Sequence, residues 1–158
     1  MKLENMYQEI ILDHYKRPHG KGLAEQFDAE VHHVNPTCGD EITLRVSRGA
    51  DGKIVVSYDN MGCSISQASA SIMFDQINNL DFESGEAAVE HLIAMLQRTV
   101  EADEDILGDG IALAGVAQYP ARVKCALLAW MAWKDAAIQA GTDNNESEIS
   151  TESNKEQN

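Results

Sequence analysis

Three cysteines and one aspartate carry most of the chemistry this sequence offers. Cys38 lies in Asn35-Pro36-Thr37-Cys38-Gly39-Asp40, Cys63 in Gly62-Cys63-Ser64-Ile65-Ser66, and Cys125 in Pro120-Ala121-Arg122-Val123-Lys124-Cys125. Each stands at the end of a regular pattern rather than within an apolar stripe, a placement that suits a ligand better than core filler. Pro36 stiffens the first segment and Gly39 permits backbone angles closed to other residues, so Cys38 and Asp40 can turn toward one ion. Cys63 precedes a helical pattern, where free amides and the helix dipole favour a thiolate. Three sulfurs and a carboxylate satisfy four-coordinate zinc. Soft sulfur donors suit ferrous iron or a 2Fe-2S cluster equally well. The intervals between the cysteines match no zinc-finger pair, and spacing alone also allows three unrelated thiols.

The elements that must position these residues follow from periodicity. Leu3, Met6, Tyr7, Ile10, Ile11 and His14 recur at helical spacing until Pro18, Gly20 and Gly22. From Val31 the period changes to two. Ile42, Leu44 and Val46 alternate with polar residues, Ile54, Val56 and Tyr58 form a second stripe, and Asp51-Gly52 between them signals a hairpin. Glu30 to Val34 adds a third antiparallel strand. Helices are expected over Ser64–Asn79, from a Ser84 cap to about Arg98, and from Pro120 to about Gly141, with a connecting segment over 99–119 that holds one short helix. The fold class is α+β, a small three-stranded antiparallel sheet covered on one face by helices. Residues 1–141 form the single domain. Residues 142–158 hold one large apolar side chain, Ile149, and read as a disordered acidic tail.

Composition narrows the partners. The 158 residues carry 12 basic and 26 acidic side chains, a formal charge of -14, which repels nucleic acid and anionic membranes. No apolar run approaches the roughly 18 residues of a spanning helix. An odd number of cysteines behind an N-terminus without a secretory pattern argues for reduced thiols and a cytoplasmic location. His32 and His33 are adjacent, so in a strand they point to opposite faces and share no ion. His14 falls on the apolar side of the first helix as a satisfied histidine, His19 and His91 have no metal-like context, and Trp130 and Trp133 have the spacing of packing residues.

The segments Ile11-Leu12-Asp13-His14-Tyr15, Asn35 to Asp40, Gly62 to Ser71 and Pro120 to Ala126 resemble the U-type iron-sulfur cluster assembly proteins, and among them the SufU branch. The resemblance covers about residues 5 to 140. It implies an α+β fold of the SufE/IscU-like kind, zinc at Cys38, Asp40, Cys63 and Cys125, and partnership with a SufS-like cysteine desulfurase and a downstream cluster-assembly scaffold. The IscU branch, which builds clusters, places a histidine before the third cysteine, where this chain has Lys124. The Leu-Pro-Pro-Val-Lys type of segment that the scaffold branch offers to a chaperone is replaced by Tyr119-Pro120-Ala121-Arg122-Val123-Lys124. The stretch between Cys63 and Cys125 is also longer, as in SufU.

The function this resemblance implies is a zinc-dependent sulfur acceptor, with Cys38 as the accepting thiol because its glycine-flanked loop moves most easily. A histidine of the desulfurase would take over one zinc position to release it. Arg122 is the candidate docking residue. Two rivals use the same residues: a scaffold that assembles and transfers a 2Fe-2S cluster, and a regulator of the desulfurase whose zinc is purely structural.

Overall fold

The computed structural model describes the backbone of residues 3–156 and the side chains of residues 4–141. Helix α1 (Leu3–Lys16) leads into strands β1 (Ala29–Asn35), β2 (Asp40–Arg48) and β3 (Ile54–Met61), followed by α2 (Ser64–Ile77), α3 (Phe82–Leu96), α4 (Glu104–Leu107), a 3-10 segment (Gly108–Gln118) and α5 (Pro120–Glu156). The strands form one antiparallel meander with β2 in the centre. The alternation sets its faces: Ile42, Leu44, Val46, Ile54, Val56 and Tyr58 are buried against the helices. The residues between them on β2 are only partly covered. A one-residue slip would bury Arg45 and expose Leu44, which fixes the register Leu44 opposite Tyr58 and Val31.

Helices α2 and α5 lie over the sheet and are joined by polar as well as apolar contacts. Trp130 Nε1 donates to Ser69 Oγ at 2.9 Å, and Ser69 Oγ donates to the Ala126 carbonyl at 2.6 Å. A buried serine is thereby paired on both sides, and α5 is locked at the turn that carries Cys125. Trp133 is also buried and packs on Phe82 at 6.4 Å between ring centroids.

Three local features differ from expectation. Asp81, not Ser84, caps α3: its Oδ1 accepts the Ser84 amide at 2.7 Å and its Oδ2 accepts the Ser84 hydroxyl at 3.0 Å. Both are good cap residues three apart, Ser84 donates twice to Asp81, and the helix starts one turn earlier. The segment after α4 is an 11-residue 3-10 helix, longer than such helices usually run. Helix α5 passes Gly141, its expected end; a glycine inside a helix costs only about 1 kcal/mol, and neighbouring Ala140 is packed in the core. The side chains of the expected disordered tail, 142–158, lie outside the described residues.

Candidate metal centre

The four residues singled out in the sequence converge at one end of the sheet, delivered by three different connections. Asn35 and Asp40 face each other where β1 and β2 end. The intervening turn carries Cys38 at its tip, closed by the Cys38 amide on the Asn35 carbonyl at 3.3 Å and by Gly39 at φ 71°. Glycine takes that angle without the cost a side chain would add. Cys63 is the N-cap residue of α2, reached through Gly62 at φ 144°. Cys125 comes up from α5 and is fully buried, whereas Cys38 and Cys63 are half-buried.

Donor atoms of Cys38, Asp40 and Cys125 lie within 4.8 Å of one another. Cys63 falls outside that group, but its Sγ is 4.0 Å from Asp40 Oδ2. A tetrahedral zinc with sulfur at about 2.3 Å holds its donors about 3.5 to 3.8 Å apart, so Cys38, Asp40 and Cys125 reach that spacing by closing about 1 Å, and Cys63 must swing in from outside the group.

Asp40 is the hinge of the cluster and is 0% exposed. Its Oδ1 accepts the Cys63 amide at 2.8 Å, and its Oδ2 accepts Asn35 Nδ2 at 3.3 Å. Burial pushes the carboxyl up, but the Cys63 amide, with Cys125, Ser66 and the Cys63 thiol, outweighs it and holds the group below the ordinary aspartate range. A buried carboxylate with no Lys, Arg or His among its hydrogen-bond partners is an anion awaiting a cation. Cys125 shows the complementary strain: burial first, then hydrogen bonding with Asp40, Cys38 and Cys63, pushes its thiol well above the ordinary cysteine value. A divalent metal held by Cys38, Asp40, Cys63 and Cys125 would supply the positive charge that favours the ionised form of these groups. Gly62 lets Asp40 sit close against the chain, since an added Cβ there would collide with Asp40 Oδ1 and stand 2.8 Å from Ser66 Oγ. The donor chemistry and this cradle both fit zinc.

Asn35 is the residue the sequence did not disclose as part of the site. It is 6% exposed and its Nδ2 also points at Cys125 Sγ, at 3.6 Å. It therefore braces two ligands from behind. Arg122 is exposed, and the negative potential of Cys63, then Cys125 and Cys38, raises its pKa. It faces the sulfurs, as its position three residues before Cys125 allows.

The histidines do not join the centre. His33 bonds Asp135 at 2.8 Å on the helix side and His32 bonds Thr43 at 2.8 Å on the other. His14, His19 and Asp75 form a second cluster with donor atoms within 4.8 Å. Its groups are already paired: His14 with Ser71 at 2.7 Å and Asp109 at 2.8 Å, and His19 with Asp75 at 2.6 Å. That network ties α1 and the following turn to α2.

The geometry can be set beside known proteins. The chain is 42% identical to the zinc-dependent sulfurtransferase SufU of Bacillus subtilis over 132 residues, covering 82% of this chain and 88% of that one. It is 38% identical to the iron-sulfur cluster assembly scaffold protein IscU of Streptococcus pyogenes over 135 residues, 85% of this chain and 84% of that one. Among solved structures, FiSufU of Fervidobacterium islandicum superposes with a TM-score of 0.76 at 34% identity, over 86% of this chain and 99% of that one. The N-terminal NifU-like protein of Brucella abortus superposes at 0.80 and 23% identity, over 89% and 97% of the two chains, which speaks for the fold. The NifU-like N terminal domain family matches residues 6–126. The chain belongs to that family, whose SufU- and IscU-named members share the theme of iron-sulfur cluster assembly.

Proposed function

We propose that the chain is a zinc-dependent sulfur acceptor that takes persulfide sulfur from a SufS-like cysteine desulfurase and passes it toward a downstream cluster-assembly scaffold, in the cytoplasm. The observation that carries the reading is the buried Asp40 carboxylate, with no salt bridge among the described residues, beside three thiols of which one sits in a turn with Gly39 at φ 71°. Lys124, where the IscU branch places a histidine directly before the third cysteine, favours it over cluster building. Cys38, Asp40, Cys63 and Cys125 would hold Zn2+, which when bound supplies the positive charge that keeps the thiols deprotonated.

The rest is the work of the chain's own residues. Cys38, half-buried at the tip of its turn, attacks the outer sulfur of the desulfurase persulfide. A new sulfur–sulfur bond forms on Cys38, the partner's cysteine leaves as thiolate, and no net oxidation occurs. Asp40 and Asn35 hold the Cys63 and Cys125 side of the site in place while Cys38 moves. Arg122 faces the incoming persulfide and stabilises its negative charge, which makes it the docking contact. The acidic tail, 142–158, acts as a solubilising extension.

The scaffold reading has its own support in the IscU relative at 38% identity. Metal analysis and a desulfurase assay separate the two. With about one zinc per chain, the native protein is expected to stimulate cysteine turnover strongly, and Asp40→Ala to lose both metal and stimulation. A brown protein containing iron and sulfide, without stimulation, would favour the scaffold.

A further inference from the structure

One cleft has no part in the chemistry above. It lies between α1, the 3-10 segment and the first turns of α2 and α5, and encloses about 620 Å3, within the range of about 300–1,000 Å3 typical of small-molecule sites. It adjoins the thiol centre. Ser64, the residue after Cys63, lines it, and so does Arg122, one helical turn before Cys125.

Its lining has two uncommon properties. Glu4 and Arg122 bring opposite charges to one cleft, and neither forms a salt bridge among the described residues. Gln8 and Gln118 add neutral hydrogen-bonding groups. Gly115, also in the lining, is not in the left-handed region, and a Cβ built on it would meet no heavy atom within 4 Å. Neither backbone nor packing requires a glycine there, so its effect is to leave volume open.

An anion and a cation that form no salt bridge among the described residues, in a cleft next to the thiol centre, complement a zwitterion that carries sulfur of its own. We propose that this cleft binds a low-molecular-weight thiol bearing both an ammonium and a carboxylate, with free cysteine as its smallest member, and presents that thiol to the persulfide on Cys38. Arg122 takes the carboxylate and Glu4 the ammonium. The inference rests on the sulfur-acceptor reading. The ligand's thiolate attacks the outer sulfur of the Cys38 persulfide; the bond between that sulfur and Cys38 breaks, a small-molecule hydropersulfide forms, and Cys38 leaves as thiolate. Atoms and electrons balance without an added oxidant or reductant. The product must then be consumed by a reaction that uses persulfide sulfur.

The test has two readouts on the zinc-loaded full chain. In the first, protein loaded with persulfide by the desulfurase and freed of it is mixed with cysteine, cysteamine, 3-mercaptopropionate or dithiothreitol. Rates are normalised to the loaded fraction and to thiolate concentration. Discharge by cysteine should saturate and exceed that by the two singly charged thiols at least about tenfold, the worth of one charge-assisted contact. Glu4→Gln should lower the rate with cysteine and leave that with 3-mercaptopropionate unchanged; Gly115→Leu should remove saturation altogether. In the second readout, L-serine, which has the same charges and no thiol, should bind saturably by calorimetry to native protein and not to Gly115→Leu. Rates linear in every thiol and equal across them, or the absence of serine binding, would overturn the cleft assignment. Failure to load Cys38 at all would instead refute the acceptor reading, and serine binding would still decide the cleft.

Discussion

Replacing Asn35 by alanine probes whether the thiol–carboxylate cluster is built for a metal. Asn35 is nearly fully buried, and its single amide nitrogen reaches both Asp40 Oδ2 at 3.3 Å and Cys125 Sγ at 3.6 Å. Hydrogen bonds to charged groups contribute about 1.5 to 3 kcal/mol. Both contacts are long, which places their sum near the lower end, about 1.5 to 2 kcal/mol by that principle. That energy corresponds to roughly 10- to 30-fold in an equilibrium constant. Loss of a residue that braces metal ligands costs about 10- to 100-fold in affinity on independent grounds, and the two ranges overlap. Asn35→Ala should therefore weaken zinc binding by about 10- to 30-fold, measured by competition against a chromophoric chelator at fixed pH. The variant should also melt below native protein by a larger margin with zinc present than without it. An affinity within about twofold of native would refute the reasoning, because the Asn35 contacts would then contribute nothing to a metal-binding arrangement.

Gly62→Ala should harm the site more than Gly39→Ala. Both place alanine at positive φ, a cost of about 1 to 2 kcal/mol, but only at position 62 would the new methyl strike Asp40 and stand 2.8 Å from Ser66 Oγ, while position 39 is open. Zinc content by elemental analysis should fall sharply in the first variant and little in the second. Gly85→Ala lies within α3, where alanine is intrinsically better by about 1 kcal/mol, yet its Cβ would stand 2.8 Å from Trp133 and 2.9 Å from Ile54. Overpacking of about 1 to 3 kcal/mol should win, so the melting temperature should drop rather than rise. Asp135 is held below the ordinary aspartate value chiefly by the hydrogen bond from His33. A depressed carboxyl contributes stability above its unfolded pKa and loses it as pH falls through the lower folded value. Asp135→Asn should thus destabilise by less than about 1 kcal/mol at neutral pH, because the pair is partly exposed and screened. Chemical denaturation should show the difference shrinking below about pH 4.

The parts of the fold that declared themselves in the sequence are those with one buried face. Ile42, Leu44 and Val46 alternate because β2 is covered by helices on one side alone, and Tyr7, Ile10, Ile11 and His14 recur at helical spacing because they form the covered stripe of α1. The 3-10 segment has no such stripe: its glycines and apolar residues show no period, and it is held by its neighbours rather than by its own pattern. The Asp81 cap was obscured by Ser84, an equally good cap three residues on. Within the candidate site, Cys38, Asp40, Cys63 and Cys125 stood out because cysteine is chemically distinctive and the first three lie at or between element ends, with Cys125 in the second turn of α5. Asn35 did not, since an asparagine before proline reads as a turn residue. Its role depends on a register partner, Asp40, and on Cys125, ninety positions away. Arg122 was legible from its place one helical turn before Cys125, whereas the cleft it borders joins four elements far apart in sequence.

The central claim is that Cys38 accepts sulfur while the other ligands remain in place. The most direct measurement is intact and peptide-mapped mass spectrometry of zinc-loaded protein after a brief reaction with a cysteine desulfurase and free cysteine. The account predicts a single added sulfur located on Cys38, absent from Cys38→Ser, with zinc retained in the native protein. Sulfur located on Cys63 or Cys125, or stimulation of the desulfurase that survives Cys38→Ser, would contradict it.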